Sequence, residues 1–407
     1  MYDLLLKGGT ILDPSQIIHQ RMDLAITGNK ISQLSPSIAE TEAAEVVDVA
    51  GKIVTPGLID IHTHVFAPVR ERNINHPDMA GVFGGVTTVA DAGSPGPGNF
   101  QDFSEVVLEQ AQTKVYSFLS IFRDRSSGMM TEESDIDVDG VVKVAQERPG
   151  LVKGVKVLVY PRTVQAMGLR HVEAARAAAR EAGIRIMMHI GDIGPKDQIP
   201  TSPEVTRQAL SMLEPGDIIT HVLSPLNGAA LDPEGKLFPE LKEAQERGVI
   251  LDPAYGDFNF SWERAEAVLS QGLIPDTIGT DIEIQSGVGM RAVSTRGLLE
   301  YMAFFLDLGF SLEEVVRMTT VNPAKGLGIE HRSGSLEVGR EADVSVLEVL
   351  EGRWQLTDAI GVSRVGSKAL VPVATIKSGQ VIEPGEGLHP WGWAPPTAVE
   401  AGVEVSD

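Results

Sequence analysis

The chain has 407 residues, no cysteine, and 34 Lys and Arg against 56 Asp and Glu, a formal net charge of −22. Disulfides and cysteine-ligated metal sites are excluded, and charge of this sign repels nucleic acid and anionic membranes, so neither is expected as a partner. With 43% hydrophobic and 22% charged residues, the composition is globular, sufficient for one large α/β domain and a smaller one.

Tyr2–Val54 alternates in strand fashion around turn signals at Gly8-Gly9, Asp13-Pro14 and Gly28-Asn29, with no long helix. From residue 57 to 333 short β-branched runs alternate with helical stretches. Eight strands are predicted: Leu58–Val65, Val86–Gly93, Tyr116–Arg123, Val152–Tyr160, Arg185–Asp192, Asp217–Pro225, Val249–Gly256 and Asp276–Glu283. Their spacing is that of βα units, and eight such units close a (β/α)8 TIM barrel. Amphipathic helices are predicted at His171–Ala182, Glu204–Leu213 (with Ser202 as N-cap), Trp262–Gln271 and Leu312–Thr319. Strand patterning resumes at Glu341–Leu350 and Val371–Ile382. The two ends are thus expected to pair into one small β domain, residues 1–56 plus 334–385, beside a barrel domain of residues 57–333. Residues 386–407 read as a tail rich in Pro and Trp, including Trp391 and Trp393.

The first barrel strand ends in Asp60-Ile61-His62-Thr63-His64, and strand alternation puts Asp60, His62 and His64 on one face. Two His two residues apart can grip one ion. His189, His221 and Asp281 lie near the carboxyl ends of strands 5, 6 and 8, where barrel active sites are built. Lys156 sits inside the apolar strand Gly154-Val155-Lys156-Val157-Leu158-Val159 with inward parity, whereas Lys153 takes the opposite face. An ammonium in a barrel interior tends to lose its proton, and the neutral amine can take up carbon dioxide to form a carbamate able to bridge two metal ions. Pairing of Lys156 with a buried carboxylate such as Asp281 is the structural alternative.

These residues carry a resemblance. Thr55–His64, the barrel lysine, two later His and the final Asp resemble the binuclear amidohydrolase superfamily; so do Asp3–Gly9 and Gly334–Val344, which are similar to strands of its β-sandwich. The segment Glu266–Asp281, especially Gly272–Asp281, resembles the dihydroorotase-like group, which includes deacetylases of acetylated α-hydroxy acids. The resemblance covers residues 2–385 and implies two divalent ions, with zinc expected. His62, His64 and Asp281 would hold the more buried ion, His189 and His221 the more exposed one, and carboxylated Lys156 would bridge both. It also implies a homo-oligomer.

Two departures bear on substrate. Tyr255 and Glu283 stand where the family commonly has His, at positions that line the pocket, so both are candidate substrate-binding residues. Arg123 and Tyr160, at the ends of strands 3 and 4, are further candidates, with Arg162 and Arg291 behind them; an arginine would clamp a substrate carboxylate. Asn227-Gly228 and Ser286-Gly287 are candidate sources of backbone donors.

The expected mechanism is attack on an amide or ester carbonyl of a small substrate by hydroxide shared between two ions, with Asp281 as proton shuttle and Asp60 orienting an imidazole. A deacylase is the leading function. A cyclic-amide hydrolase uses the same centre, a mononuclear deaminase would not need Lys156, and a non-catalytic scaffold would lack the full ligand set. No apolar run reaches the ~18 residues of a membrane span, and Met1-Tyr2-Asp3-Leu4 lacks the basic flank of a signal peptide, so a cytoplasmic location is expected.

Overall fold

The computed structural model describes residues 1–66, 77–124, 130–193, 199–283 and 297–384. Arg291, Ser286-Gly287 and the 386–407 tail with Trp391 and Trp393 lie outside the described residues. Two sheets organise the chain. The amino-terminal strands are β1 (Tyr2–Asp13), β2 (Ile18–Thr27), β3 (Lys30–Ser35), β4 (Ala43–Asp48) and β5 (Ile53–Pro56). Gly8-Gly9 is a bulge within β1 and not a turn between strands. The register of β1 on β2 shifts there, so that its first half pairs with β4 and its second half with β5. Gly8 has φ +77°, and a Cβ on Gly9 would stand 2.7 Å from Val54 Cγ2.

The second sheet runs β6 (Leu58–His64), β7 (Val86–Ala92), β8 (Lys114–Ser120), β9 (Val152–Val159), β10 (Arg185–Ile190), β11 (Ile218–Thr220), β12 (Ile250–Asp252) and β13 (Ile282–Glu283). Its strands are all parallel, in the order β13-β6-β7-β8-β9-β10-β11-β12, and form a (β/α)8 barrel. The late strands are shorter than their hydrophobic runs. The chain turns into left-handed backbone at His221 (φ 74°) and Ala254 (φ 32°), just past β11 and β12, and at Asp281 (φ 53°), just before β13. Most of the predicted eighth strand, 276–281, is irregular. It still closes the ring, with Asp276 N–H on Leu251 O at 2.8 Å and Thr280 O accepting from Gly256 N–H at 2.9 Å.

Helices surround the barrel where periodicity placed them. Ser202 caps Pro203–Ser211, and Ser311 with Glu314 forms a capping box on Leu312–Thr319. The apolar side chains between strands and helices make the main core. Among the described residues no helix is long and apolar enough to cross a membrane.

The carboxyl-terminal strands β14 (Val344–Thr357), β15 (Ser363–Lys377) and β16 (Gln380–Ile382) return to the first sheet, β14 pairing with β5. Leu4, Leu24 and Ile26 meet Val344, Val346 and Ile376 in a second core, which packs the two arms of this sheet against each other. The β14–β15 hairpin is far longer than the sequence pattern. Its polar middle, Glu351-Gly352-Arg353, reads as loop, but tertiary contacts hold the tip as an arm on the barrel. Tyr255 O–H donates to Thr357 O (2.6 Å), Trp262 N–H to Asp358 Oδ2 (3.1 Å) and Trp262 Nε1–H to Val362 O (3.2 Å).

On the helix Arg170–Ala182, His171 is buried against β9 and its Nε2–H donates to Leu158 O at 2.9 Å. Burial pulls this imidazole from 6.5 down to about 4. It folds neutral, so the stability it contributes is complete above pH 6.5 and is lost as the pH falls toward 4, because the unfolded chain takes up the proton first. We expect the wild-type stability advantage over His171→Gln to shrink by about 3 kcal/mol between pH 7.5 and pH 4, read by urea denaturation.

Candidate metal centre

The six candidate ligands come together at the carboxyl ends of the strands. A β-bulge interrupts the β6–β7 ladder between Asp60 and Thr63, at His62, and His64 follows it. His62 Nε2 and His64 Nε2 lie 3.2 and 3.1 Å from Asp281 Oδ1, and His221 Nε2 lies 3.9 Å from Asp281 Oδ2. The His189 and His221 rings stand 4.2 Å apart. Lys156, only 2% exposed, places Nζ 3.1 Å from His62 Nε2. Ligand atoms of His62, His221 and Asp281 all fall within 4.8 Å of one another.

Hydrogen bonds dictate which nitrogen each imidazole offers. His221 Nδ1–H donates to Ala254 O (2.8 Å), leaving Nε2 for the centre; His189 Nε2–H donates to Gly191 O (2.9 Å), leaving Nδ1. His62 Nδ1 meets Thr220 Oγ1 (2.9 Å) and Asp252 Oδ2 (3.3 Å), and His64 Nδ1 meets Ser94 Oγ (2.7 Å). Asp91 in turn accepts from Ser94 N–H (2.7 Å) and Val65 N–H (2.9 Å). Such outer partners orient ligands and are part of a metal site.

The protonation states suit metal binding. Burial, then Lys156, push His189 down to about 3; burial and the neighbouring His189 hold His221 well below its ordinary value. Burial would raise the Asp281 carboxyl, but His62 and His64 outweigh it and hold it well below the usual carboxylate range. On His62 the downward pull of burial and Lys156 is outweighed by Asp281 and Asp252, which raise it. Neutral His189 and His221 and ionised Asp281 are in the forms that ligate metal ions, and a bound cation would displace the proton that the neighbouring acids favour on His62, so this donor set fits a divalent centre.

Asp60 acts differently from its expected role. Its carboxylate accepts from Thr280 Oγ1–H (2.6 Å) and from the N–H groups of Thr280 and His62 (both 3.1 Å), so it pins the residue before Asp281 while Asp252 orients the imidazole. Burial raises the Asp60 carboxyl to about 7 against these bonds. Two glycines make room. Gly93 (φ +90°) faces the Lys156 stem, its missing Cβ 2.5 Å from Lys156 Cβ, and a Cβ on Gly256 (φ +50°) would collide with Asp281 Oδ2.

The pocket above the centre, about 120 Å³, is lined by the ligands together with Leu158, Ile193, Asp257, Phe258 and Asn259. Three substrate candidates are placed elsewhere. Arg123 is not in this lining: β8 ends at Ser120 and the chain bends toward residues 133–137, with Arg123 N–H on Asp135 O, so Nε reaches Asp137 at 3.3 Å. Tyr255 is stacked on Phe260 and Tyr301, its hydroxyl spent on Thr357 O. Tyr160 is buried in the core between strands and helices. Arg162 is exposed, and the Glu283 side chain lies outside the described residues. Asn227-Gly228 lines a neighbouring pocket with Ser224 and Arg264. Asp252, Asp91 and Asn259, whose Nδ2–H donates to Asp281 Oδ2 (3.4 Å), were missed. For the first two a signal existed: an acid within an apolar strand has to be hydrogen-bonded once buried.

Strand-end imidazoles, a barrel lysine and a terminal aspartate define a barrel hydrolase site. Residues 53–382 match the Amidohydrolase family, and the chain belongs to that family, whose members generally depend on a binuclear metal centre. It is a hydrolytic enzyme. A deacetylase of Enterococcus faecalis is 27% identical over 386 residues, spanning 94% of this chain and 99% of that protein. A dihydroorotase of Syntrophus aciditrophicus is 25% identical, spanning 84% of this chain and 89% of its own. The crystal structure of an adenine deaminase superposes with a TM-score of 0.83 at 27% identity, covering 94% of this chain and 100% of that one.

Two substitutions separate site from scaffold. Gly256→Ala should lower metal content and reduce kcat on the order of 100-fold by displacing Asp281, measured by metal analysis and steady-state kinetics on folded protein. Tyr255→Phe should leave kcat/KM within about two-fold while lowering stability by about 1 kcal/mol; a large kinetic loss at unchanged stability would return Tyr255 to the substrate pocket.

Proposed function

We propose that the protein is a binuclear metal-dependent deacylase, removing an acyl group from a small carboxylate-bearing substrate. The convergence of six donors, with buried Lys156 at 3.1 Å from His62 Nε2, is the observation that carries it. His62, His64 and Asp281 would hold one ion and His189 and His221 the other, with zinc the expected metal and a carbamate on Lys156 the shared ligand. Bound divalent metal supplies a water of lowered pKa and a polarised carbonyl. Asp281, kept ionised by its imidazole neighbours, takes the proton from the attacking water and returns it to the leaving group. Asn259 Nδ2–H holds the Oδ2 of Asp281 during that transfer. Asp257 and Phe258, from the same loop as Asn259, wall the substrate side of the pocket.

The deacetylase relative, alignable over nearly the whole of both chains, supports acyl transfer to water as the reaction. Ring opening of a cyclic amide is the second reading, favoured by the dihydroorotase relative. A matched panel separates them. Enzyme loaded with zinc and bicarbonate is expected to turn over acylated α-hydroxy or α-amino acids and not hydantoins, lactams or dihydropyrimidines; turnover confined to rings would overturn the deacylase reading. Asp281→Asn should keep the fold and lose activity on the order of 10³-fold, and undiminished turnover would remove Asp281 from the proton path. Labelled bicarbonate should give a carbamate carbon signal by NMR in the wild type and none in Lys156→Ala.

A further inference from the structure

The other end of the barrel holds a cluster that the hydrolytic site does not use. Lys114 begins β8, Lys153 is the second residue of β9 and Arg185 begins β10, so all three stand at the amino-terminal mouth, joined there by Arg332 and Lys377. In a chain of net charge −22 this is an unusual gathering of cations.

Simple strand alternation would turn Lys153 away from the barrel interior, but a bulge re-aims it. On β8 and β9, Ser117 pairs with Val152 and Phe118 with Gly154, leaving Lys153 as the extra residue. Its Nζ stands 4.5 Å from the centroid of the Tyr116 ring, and Lys114 Nζ stands 5.5 Å from the same ring. Tyr116 is 4% exposed and packs with Ile59, Phe118, Met187 and Ile218 inside the barrel. Among the described residues its hydroxyl has no hydrogen-bond partner, and it interacts electrostatically with Arg332.

Two of the three nearby acids are engaged in ion pairs. Glu341 pairs with Arg332, and Asp343 accepts from Lys377 Nζ at 2.5 Å. Arg185 donates to the carbonyls of Lys325 (2.8 Å) and Gly326. Glu330 forms no ion pair among the described residues, and neither Lys114 nor Lys153 has an ion-pair or hydrogen-bond partner there. Burial first, then the positive charges of Arg185, Arg332 and Lys114, pull the Lys153 amine down to about 8 against the opposing pull of Glu330. Two ammonium groups without an ion-pair partner, the guanidinium that holds Glu341 and a free phenolic donor outnumber the unpaired Glu330 and match the acceptor number of a tetrahedral dianion.

We infer that the amino-terminal mouth of the barrel binds a phosphate group, free or as a monoester, between Lys114, Lys153 and Arg332 above the Tyr116 hydroxyl. This site is separate from the metal centre and independent of the reaction catalysed there.

The test is thermal denaturation of the metal-loaded full chain, titrated with inorganic phosphate and, in a second arm, with a small phosphomonoester, against chloride at matched ionic strength. The comparison protein is the Lys114→Met/Lys153→Met double variant, which keeps the aliphatic stems over the Tyr116 ring and leaves the metal centre intact. Phosphate bound at the metals would stabilise both proteins alike. A saturable rise in Tm that is weakened about ten-fold or more in midpoint concentration in the double variant supports the site. No rise beyond chloride, or the same rise in both proteins, overturns it. The stronger of the two arms identifies free phosphate or the monoester as the better ligand. If the double variant fails to fold, acetylation of Lys153 by acetic anhydride at pH 8, mapped on peptides, gives the answer in wild type: protection by phosphate but not by chloride supports the site, and equal labelling overturns it.

Discussion

An amine and four imidazoles share one buried site at the carboxyl mouth of the barrel, and the surrounding architecture serves to make that tolerable. Lys156 cannot leave, because its stem is enclosed by Gly93 and the barrel wall. Carboxylates supply the compensation: Asp281 on the metal side of His62 and Asp252 on its far side. Removing either would leave buried basic groups without an opposing charge, which is more damaging than the pair is stabilising. Divalent ions and a carbamate would resolve the same conflict differently, by turning the donors inward onto shared charge.

Backbone strain holds this arrangement in place. His221, Ala254 and Asp281 all adopt left-handed φ without being glycine, at a cost of about 1–3 kcal/mol each. Each sits in a mesh of main-chain bonds, with His221 N–H on Asp252 O at 2.8 Å, Asp281 N–H on His62 O at 2.7 Å, and Ala254 O accepting from His221. The strand ends are thus tied to one another across the mouth. A ligand displaced by half an ångström would have to pull its neighbours with it.

The ligands were legible because chemistry of this kind is written in residue type and parity: His at alternate positions, a lysine in an apolar strand, an aspartate at the last strand end. The barrel was legible because strand and helix periods alternate. What was not legible depends on the third dimension. Arg123 was expected in the mouth, but no pattern signals that β8 stops at Ser120 and the chain swings to Asp137. Lys153 was placed outward by strand parity, and one bulge residue reverses that inference. Tyr255 was read as a pocket residue from a departure in sequence, yet its position is set by aromatic stacking and a bond to residue 357. Glu351–Lys368, polar and rich in turn formers, gave no sign of a long hairpin.

That hairpin ties the two parts of the chain into one mechanical unit. Its tip covers Tyr255, Phe260 and Trp262, and Arg364 lies over the Trp262 ring while pairing with Glu266 at 2.6 Å. A barrel cut free of the carboxyl-terminal segment would bare this aromatic wall just behind Asp257–Asn259, the loop that lines the pocket. The small sheet is therefore a buttress for the loop that lines the pocket, and the pocket wall depends on a segment more than 90 residues away in the chain.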